Sequence, residues 1–183
     1  RQMCIRDSPL AFGLATATRV GNLIGEKDLS QAKFSSKASM LLCSIIALLT
    51  TFVIFNFRND LVALFTTDAV VISLGASLLI FAAIFQLPDA VQISAVGSLR
   101  GFKDTFAPMI LILISYWIIA LPLGYAMTFG LIGDPQGAQG MWIGMIIGLS
   151  VFCLLGILRL NYVIKKYLIS ACLLYTSPSP RDP

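Results

Sequence analysis

The sequence contains no histidine and little charge of either sign. The first absence excludes imidazole acid–base catalysis and histidine-bound metals. Its four cysteines, Cys4, Cys43, Cys153 and Cys172, are far apart, and no CxxC pair or Cys cluster supports a zinc site. Cys43 and Cys153 lie in apolar stretches and read as small buried residues. No glycine group is followed by the Lys-Ser/Thr of a phosphate-binding loop. Charged residues make up 12% of the 183, against about a quarter in a soluble domain. What fills the space is apolar: 57% hydrophobic residues and a mean hydropathy of +0.87. A membrane protein is therefore expected. The net charge of +4 and pI near 9.0 do not signal nucleic acid, because the basic residues form short patches between hydrophobic runs.

About 20 mainly apolar residues are needed for a helix to cross the hydrocarbon core. Four runs qualify: residues 38–57, 69–99, 105–133 and 135–158. The second, at 31 residues, exceeds one straight crossing and implies tilt or an interfacial first turn. Residues 9–18 resemble the inner end of a fifth span. Spans of this length must be helical, since lipid cannot satisfy backbone groups and so few segments cannot close a barrel. The fold class expected is an all-α polytopic membrane protein with four full transmembrane helices and the end of a fifth.

Loop charges alternate. Arg19, Lys27, Lys33 and Lys37 precede the first full span, while Arg58 is offset by Asp60 and Asp68. Arg100 and Lys103 follow the second, Asp134 alone follows the third, and Arg159, Lys165 and Lys166 follow the last. The positive-inside rule places loops 19–37 and 100–104 and the tail after 158 of this multi-pass protein in the cytoplasm.

Asp89 is the only charged residue between Asp68 and Arg100. Ionised at a helix centre it costs roughly 2.5–3.5 kcal/mol, so it is the default functional site. Gln86 and Gln92 flank it at three-residue spacing and form with it a supporting polar track. Two chemistries suit such a carboxylate: exchange of a proton through a desolvation-raised pKa, or coordination of a small hard cation. A third reading is a hydrogen-bonded lock between helices. Pro88, beside Asp89, and Pro122, within 105–133, are expected to kink their helices and free a carbonyl. Ser115, Tyr116, Trp117 and Tyr125 flank Pro122, and are suited either to a cavity for flat organic cations or to packing. Gly140, Gly144 and Gly148 form two GxxxG steps, a spacing repeated by Gly97 with Gly101 and Gly21 with Gly25. Close helix packing is the expectation for all of them.

The ends stand apart. RQMCIRDS (1–8) and CLLYTSPSPRDP (172–183) resemble translated sequencing-adapter read-through, so residues 1–8 and the tail 167–183 from about 172 are expected to be non-native. The natural protein is expected to continue in both directions.

Four segments in order, ATATRVGNLIGEKD (15–28), LPDAVQ (87–92), GSLRGFKDTFAP (97–108) and SYWIIALPLGY (115–125), resemble multidrug and toxic compound extrusion (MATE) transporters, in particular their NorM-like bacterial branch. The similarity covers about residues 9–166. It implies a twelve-helix, two-lobed transporter of which this chain is part of the C-terminal lobe. It implies export of small organic cations, drugs and dyes, in exchange for Na+ or H+, with no other cofactor. It also implies a cation-coupling role for Asp89, with no metal beyond a Na+ held there. The family's partner glutamate belongs to a helix outside this chain, so the other partners expected are membrane lipid and the missing N-terminal lobe. Alternatives are a lipid-linked saccharide flippase, which calls for basic residues within the spans, and a non-transporting scaffold subunit, for which Asp89 would be dispensable. One intramembrane carboxylate gives a membrane enzyme little to work with, so no enzymatic activity is expected.

Overall fold

Helix is the one state in which an apolar run satisfies its own backbone without water, and every long apolar run here adopts it. A computed structural model describes the backbone of residues 3–176 and the side chains of residues 10–169. Helix α1 spans Met3–Gly25, α2 Leu29–Ala63 and α3 Ala69–Gly101. Then α4 (Phe106–Leu113), a π-helical segment (Ile114–Ala120) and α5 (Leu121–Thr128) form one continuous span, followed by α6 (Ala138–Thr176). Four of these spans are long and apolar enough to cross a membrane. No strand occurs among the described residues. Only 11% of the most apolar window of α2, and of α3, is buried, so the outward surface is hydrocarbon-like and suited to lipid.

The helices outrun the apolar spans. The stretch 19–37, read as a loop, is mostly helical: α1 continues to Gly25 and α2 begins at Leu29. The turn between them closes in three residues. Lys27 adopts a left-handed φ of 61°, Lys27 N–H donates to Ile24 C=O at 3.1 Å and Asp28 N–H to Leu23 C=O at 3.0 Å. This is a Schellman closure. Asp28 then caps α2 by accepting from Gln31 N–H at 3.0 Å.

The α3–α4 connection repeats the device. Lys103 has φ 59°, and its N–H donates to Arg100 C=O while Asp104 N–H donates to Leu99 C=O. Gly25-Glu26-Lys27-Asp28 and Gly101-Phe102-Lys103-Asp104 thus build the same turn at the same end of the bundle. Helix α2 likewise passes its apolar run, bending at Phe57 (φ −105°, ψ 17°) and reaching Ala63. The third span stops at Thr128, short of 133, because Gly130, Gly133 and Gly137 take positive φ and Pro135 cannot continue a helix. Arg159, Lys165 and Lys166, read as tail, lie on α6. Of the two ends set apart in the sequence, residues 3–8 and 172–176 are helical backbone, and residues 1–2 and 177–183 lie outside the described residues.

Helix α3 is the centre, packed against α1, α2 and α6. At one end a cluster of Val20, Ala32, Leu99, Phe102, Leu160, Val163 and Ile164 gathers the ends of α1 and α3, the start of α2 and the second half of α6. Nine basic residues and three acids collect at this basic end. Elsewhere contact depends on missing side chains. A Cβ on Gly97 would strike the Gly13 carbonyl oxygen, and one on Gly101 would come within 2.7 Å of Val20 Cβ. On α6, Gly140 abuts the Met127–Thr128 backbone, Gly144 abuts Gly124, and Gly148 receives Ala120 and the Ser115 carbonyl. The double GxxxG step is therefore the groove that seats α5 and the π segment. Gly21 only approaches Gly101, and Gly25 has open space around it.

Gly97→Ala is accordingly expected to destabilise the detergent-solubilised protein by about 1–3 kcal/mol through overpacking against backbone. Gly25→Ala should change thermal unfolding little. Equal melting temperatures for the two variants would contradict the close-approach account.

Candidate functional site at Asp89

Helix α3 starts where Asp68 caps it, accepting from Val70 N–H at 2.9 Å, and remains helical across Pro88. Asp89 lies twelve residues before Gly101, about 18 Å along the axis at 1.5 Å per residue. In a hydrocarbon core about 30 Å thick, that depth is far from either surface. Asp89 is half-buried, and together with Gln86 and Ala90 it lines a small cavity completed by Phe12 of α1 and by Cys43, Ile46 and Ala47 of α2. The cavity holds about 30 Å³, enough for a water or a small cation but not for a drug-sized molecule. Small residues create the room, since Cys43, Ala47 and Ala90 form one buried cluster against Phe12.

The oxygen-bearing side chains of this cavity are the Asp89 carboxylate and the Gln86 amide, with the free thiol of Cys43 also in its lining. Pro88 has no N–H to give the Ile84 carbonyl, one turn away, so that oxygen loses its normal helical partner. The two oxygen-bearing side chains suit a small hard cation or a hydrated proton. Among the described residues no three Cys, Asp or Glu side chains gather, so a site of several carboxylates needs residues beyond those described.

The polar track divides. Gln92 opens onto a different cavity of about 140 Å³, shared with Gly13, Gly97 and Arg100, and its buried Oε1 has no hydrogen-bond partner. The reason is helical geometry. Each three-residue step slips about 60° around the helix, so Gln92 is turned about 120° from Gln86. Helix α1, drawn in at Gly13 and Gly97, occupies the gap between them.

Pro122 stands at the start of α5, directly after the π segment, whose wider turn is closed by Leu121 N–H donating to Tyr116 C=O. Without an N–H, Pro122 cannot hold the Ile118 carbonyl in an α-helical bond, and the helix widens rather than simply bending. The four residues near it point differently. Ser115 is fully buried, with no hydrogen-bond partner for its hydroxyl, and Tyr116 is half-buried. Trp117 and Tyr125 are 68% and 58% exposed, and the Tyr125 ring lies 4.6 Å from Phe129.

Reading the sequence missed a hydroxyl junction beside the cavity. Ser39 on α2 meets Thr16 Oγ1 of α1 at 2.5 Å and accepts from Ser94 Oγ of α3 at 3.0 Å. It joins three helices about one turn closer to the basic end than Asp89, with Cys43 adjoining both Ser39 and Ser94. Serine and threonine at helical spacing were the available signal, but such residues more often bond their own helix, as Ser44 does to Met40 C=O. Cys43 is buried and Cys153 half-buried, both free thiols, whereas Cys4 and Cys172 lie outside the described side chains.

An ionisable residue deep in the seam of a multi-span helical bundle marks a functional site of a membrane protein, ion and substrate pathways among the uses. The comparisons make the class specific. The MatE family model matches residues 8–126, and the chain belongs to that family. It is 39% identical over 157 residues to multidrug resistance protein NorM of Photobacterium profundum, covering 85% of this chain and 34% of that protein. With NorM of Vibrio vulnificus (strain YJ016) it shares 41% identity over 160 residues, 86% of this chain and 35% of the relative. The chain thus spans about a third of the length of these relatives. In fold it resembles the eukaryotic MATE transporter AtDTX14, with a TM-score of 0.76 at 22% identity over 87% of this chain and 36% of that one. These are transporters and not enzymes, as expected from the sequence.

Ser39→Ala removes two cross-helix contacts at once and is expected to lower stability by about 1 kcal/mol. Ser44→Ala, losing only an intrahelical bond, should be close to neutral. Unfolding in detergent micelles checks the contrast.

Proposed function

We propose that this chain contributes part of the C-terminal lobe of a cation-coupled multidrug efflux antiporter, and that Asp89 binds the coupling ion. One observation carries the reading: a carboxylate deep in the membrane-spanning bundle lines a water-sized cavity together with an amide side chain. A small hard cation or a proton matches that space and donor set. Family membership and the multidrug resistance named for the relatives support export as the process being driven.

In this reading the basic end faces the cytoplasm of a cell whose inner membrane the protein spans, following the excess of Lys and Arg there. Ion binding at Asp89 neutralises its charge in a low-dielectric seam and so favours one arrangement of α1, α2 and α3 over another. Drug binds elsewhere, between this lobe and the N-terminal lobe. Trp117 and Tyr125, exposed on the third span, offer aromatic faces to a flat organic cation there. The second acidic residue of the ion site, expected from the family resemblance, belongs to a helix outside this segment. No basic residue lies on the spans between Arg58 and Arg100 or between Lys103 and Arg159, which disfavours a carrier of lipid-linked pyrophosphates.

The test is ethidium efflux from pump-deficient cells expressing the full transporter that carries this segment. Asp89→Asn should reduce gradient-driven efflux to near the background of cells without the transporter. Export at the wild-type rate under both a Na+ and a H+ gradient would end the coupling assignment. Vesicles given one gradient at a time identify the ion.

A further inference from the structure

The largest of the described cavities lies at the basic end, away from Asp89. It measures about 360 Å³, within the size range of small-ligand sites. Its walls are the α3–α4 turn and the second half of α6, and they bring Lys103, Arg159 and Lys166 together with Tyr162 and Tyr167. Asp104 is the one acid among them. It accepts from Arg159 Nε at 2.7 Å, and this bridge fixes the guanidinium, which also lies 5.4 Å from the Tyr162 ring centre. Tyr167 donates to the Phe102 carbonyl at 2.9 Å and packs edge-on against the Phe102 ring, tying the turn to α6. With three bases against one acid, the cavity keeps an excess of positive charge within a rigid frame.

Turn geometry adds to the arrangement. Lys103 occupies the left-handed position of the Schellman closure, where glycine is the usual residue. That position projects a long cation from a turn pinned by two backbone hydrogen bonds. Two apolar spans meet the cavity, residues 135–158 ending at Arg159 and Phe106–Thr128 starting just after Asp104. Leu158, next to Arg159, is 65% exposed, and Phe106, two residues from Asp104, is 68% exposed. Cations and tyrosines at the point where two apolar spans end match an amphiphile at a membrane–water boundary. A soluble anion would gain nothing from the adjoining apolar spans.

We infer that the cavity between the α3–α4 turn and α6 binds the phosphate headgroup of an anionic phospholipid, with Lys103, Arg159 and Lys166 as its cationic contacts. The site is independent of the ion-coupling role of Asp89. Lipid bound there bridges the α3–α4 turn and α6 and reinforces a junction already held by an ion pair, a tyrosine hydrogen bond and apolar packing.

The full transporter carrying this segment, purified in detergent, is titrated with phosphatidylglycerol or phosphatidylcholine and read by native mass spectrometry. Wild type should retain phosphatidylglycerol in clear preference to phosphatidylcholine. The double variant Lys103→Gln/Lys166→Gln should bind phosphatidylglycerol roughly tenfold more weakly. Lys165→Gln, which alters a neighbouring base outside the cavity lining, should bind as wild type does, and Lys103→Arg/Lys166→Arg should keep the preference. Equal retention of the two lipids would overturn the site. So would a loss in Lys165→Gln as large as in the double glutamine variant, because it would reduce the effect to general surface charge. Thermal stabilisation by inorganic phosphate alone, matching that by phosphatidylglycerol, would assign the cavity to a soluble anion and overturn the lipid.

Discussion

Close approach of backbone to backbone is the constraint on which this structure rests. In lipid, a leucine gains little by leaving hydrocarbon for another leucine, so helices associate through packing contact and cross-helix hydrogen bonds. Helix α3 is composed for that purpose. From Ser94 to Leu99 every residue is buried, and the faces it offers are Ala83, Ala90, Ser94, Gly97, Ser98 and Gly101. Gly97 admits the α1 backbone at Gly13, and Ser94 reaches Ser39 of α2. The cavity at Asp89 follows from the same economy of side chains. Where α1, α2 and α3 come this close, Ala47 and Ala90 leave room for something the size of a water and no larger.

A second packing system lies on the other flank of α3. The glycine row of α6 receives α5 and the π segment, with Gly144 against Gly124 and Gly148 against Ala120. A π turn is wider than an α turn and needs a recess to lie in. Pro122 removes the bond that would hold the tighter turn, and Gly148 supplies the space. The bundle thus joins a hydrogen-bonded seam holding an ionisable group to a glycine-seated span exposing aromatic faces, with α3 and α6 in contact between them through Phe85 and Trp142 at 6.0 Å.

Much of this was legible in the residues. Uninterrupted apolar runs fix helix and membrane together, because no other backbone arrangement survives there. The isolation of Asp89 singles it out as the candidate site, and the GxxxG rows of α6 pack as their spacing suggests. Helix ends were less legible. Charged residues such as Arg19, Lys33 and Arg159 mark where the hydrocarbon stops, whereas the helices stop where a cap or a left-handed residue stops them. Glycine usually signals that residue, but Lys27 and Lys103 hold the position here. Gln92 was misplaced with Gln86 because three-residue spacing looks like one face over a single step and is not over two.

The sequence by itself determined that this chain spans a membrane as helices, which end of the bundle is basic, and that one carboxylate lies deep within it. These are properties of composition and order along the chain, and they hold under any packing of the helices. The tertiary structure alone decided what that carboxylate shares its space with. Cys43, Ala47 and Phe12 come from two other helices, and Ser39 finds Thr16 and Ser94 across three. Arg159 meets Asp104 across 55 positions of sequence. Such neighbours are set by how closely the helices approach and at what rotation, and both depend on which side chains are too small to keep them apart.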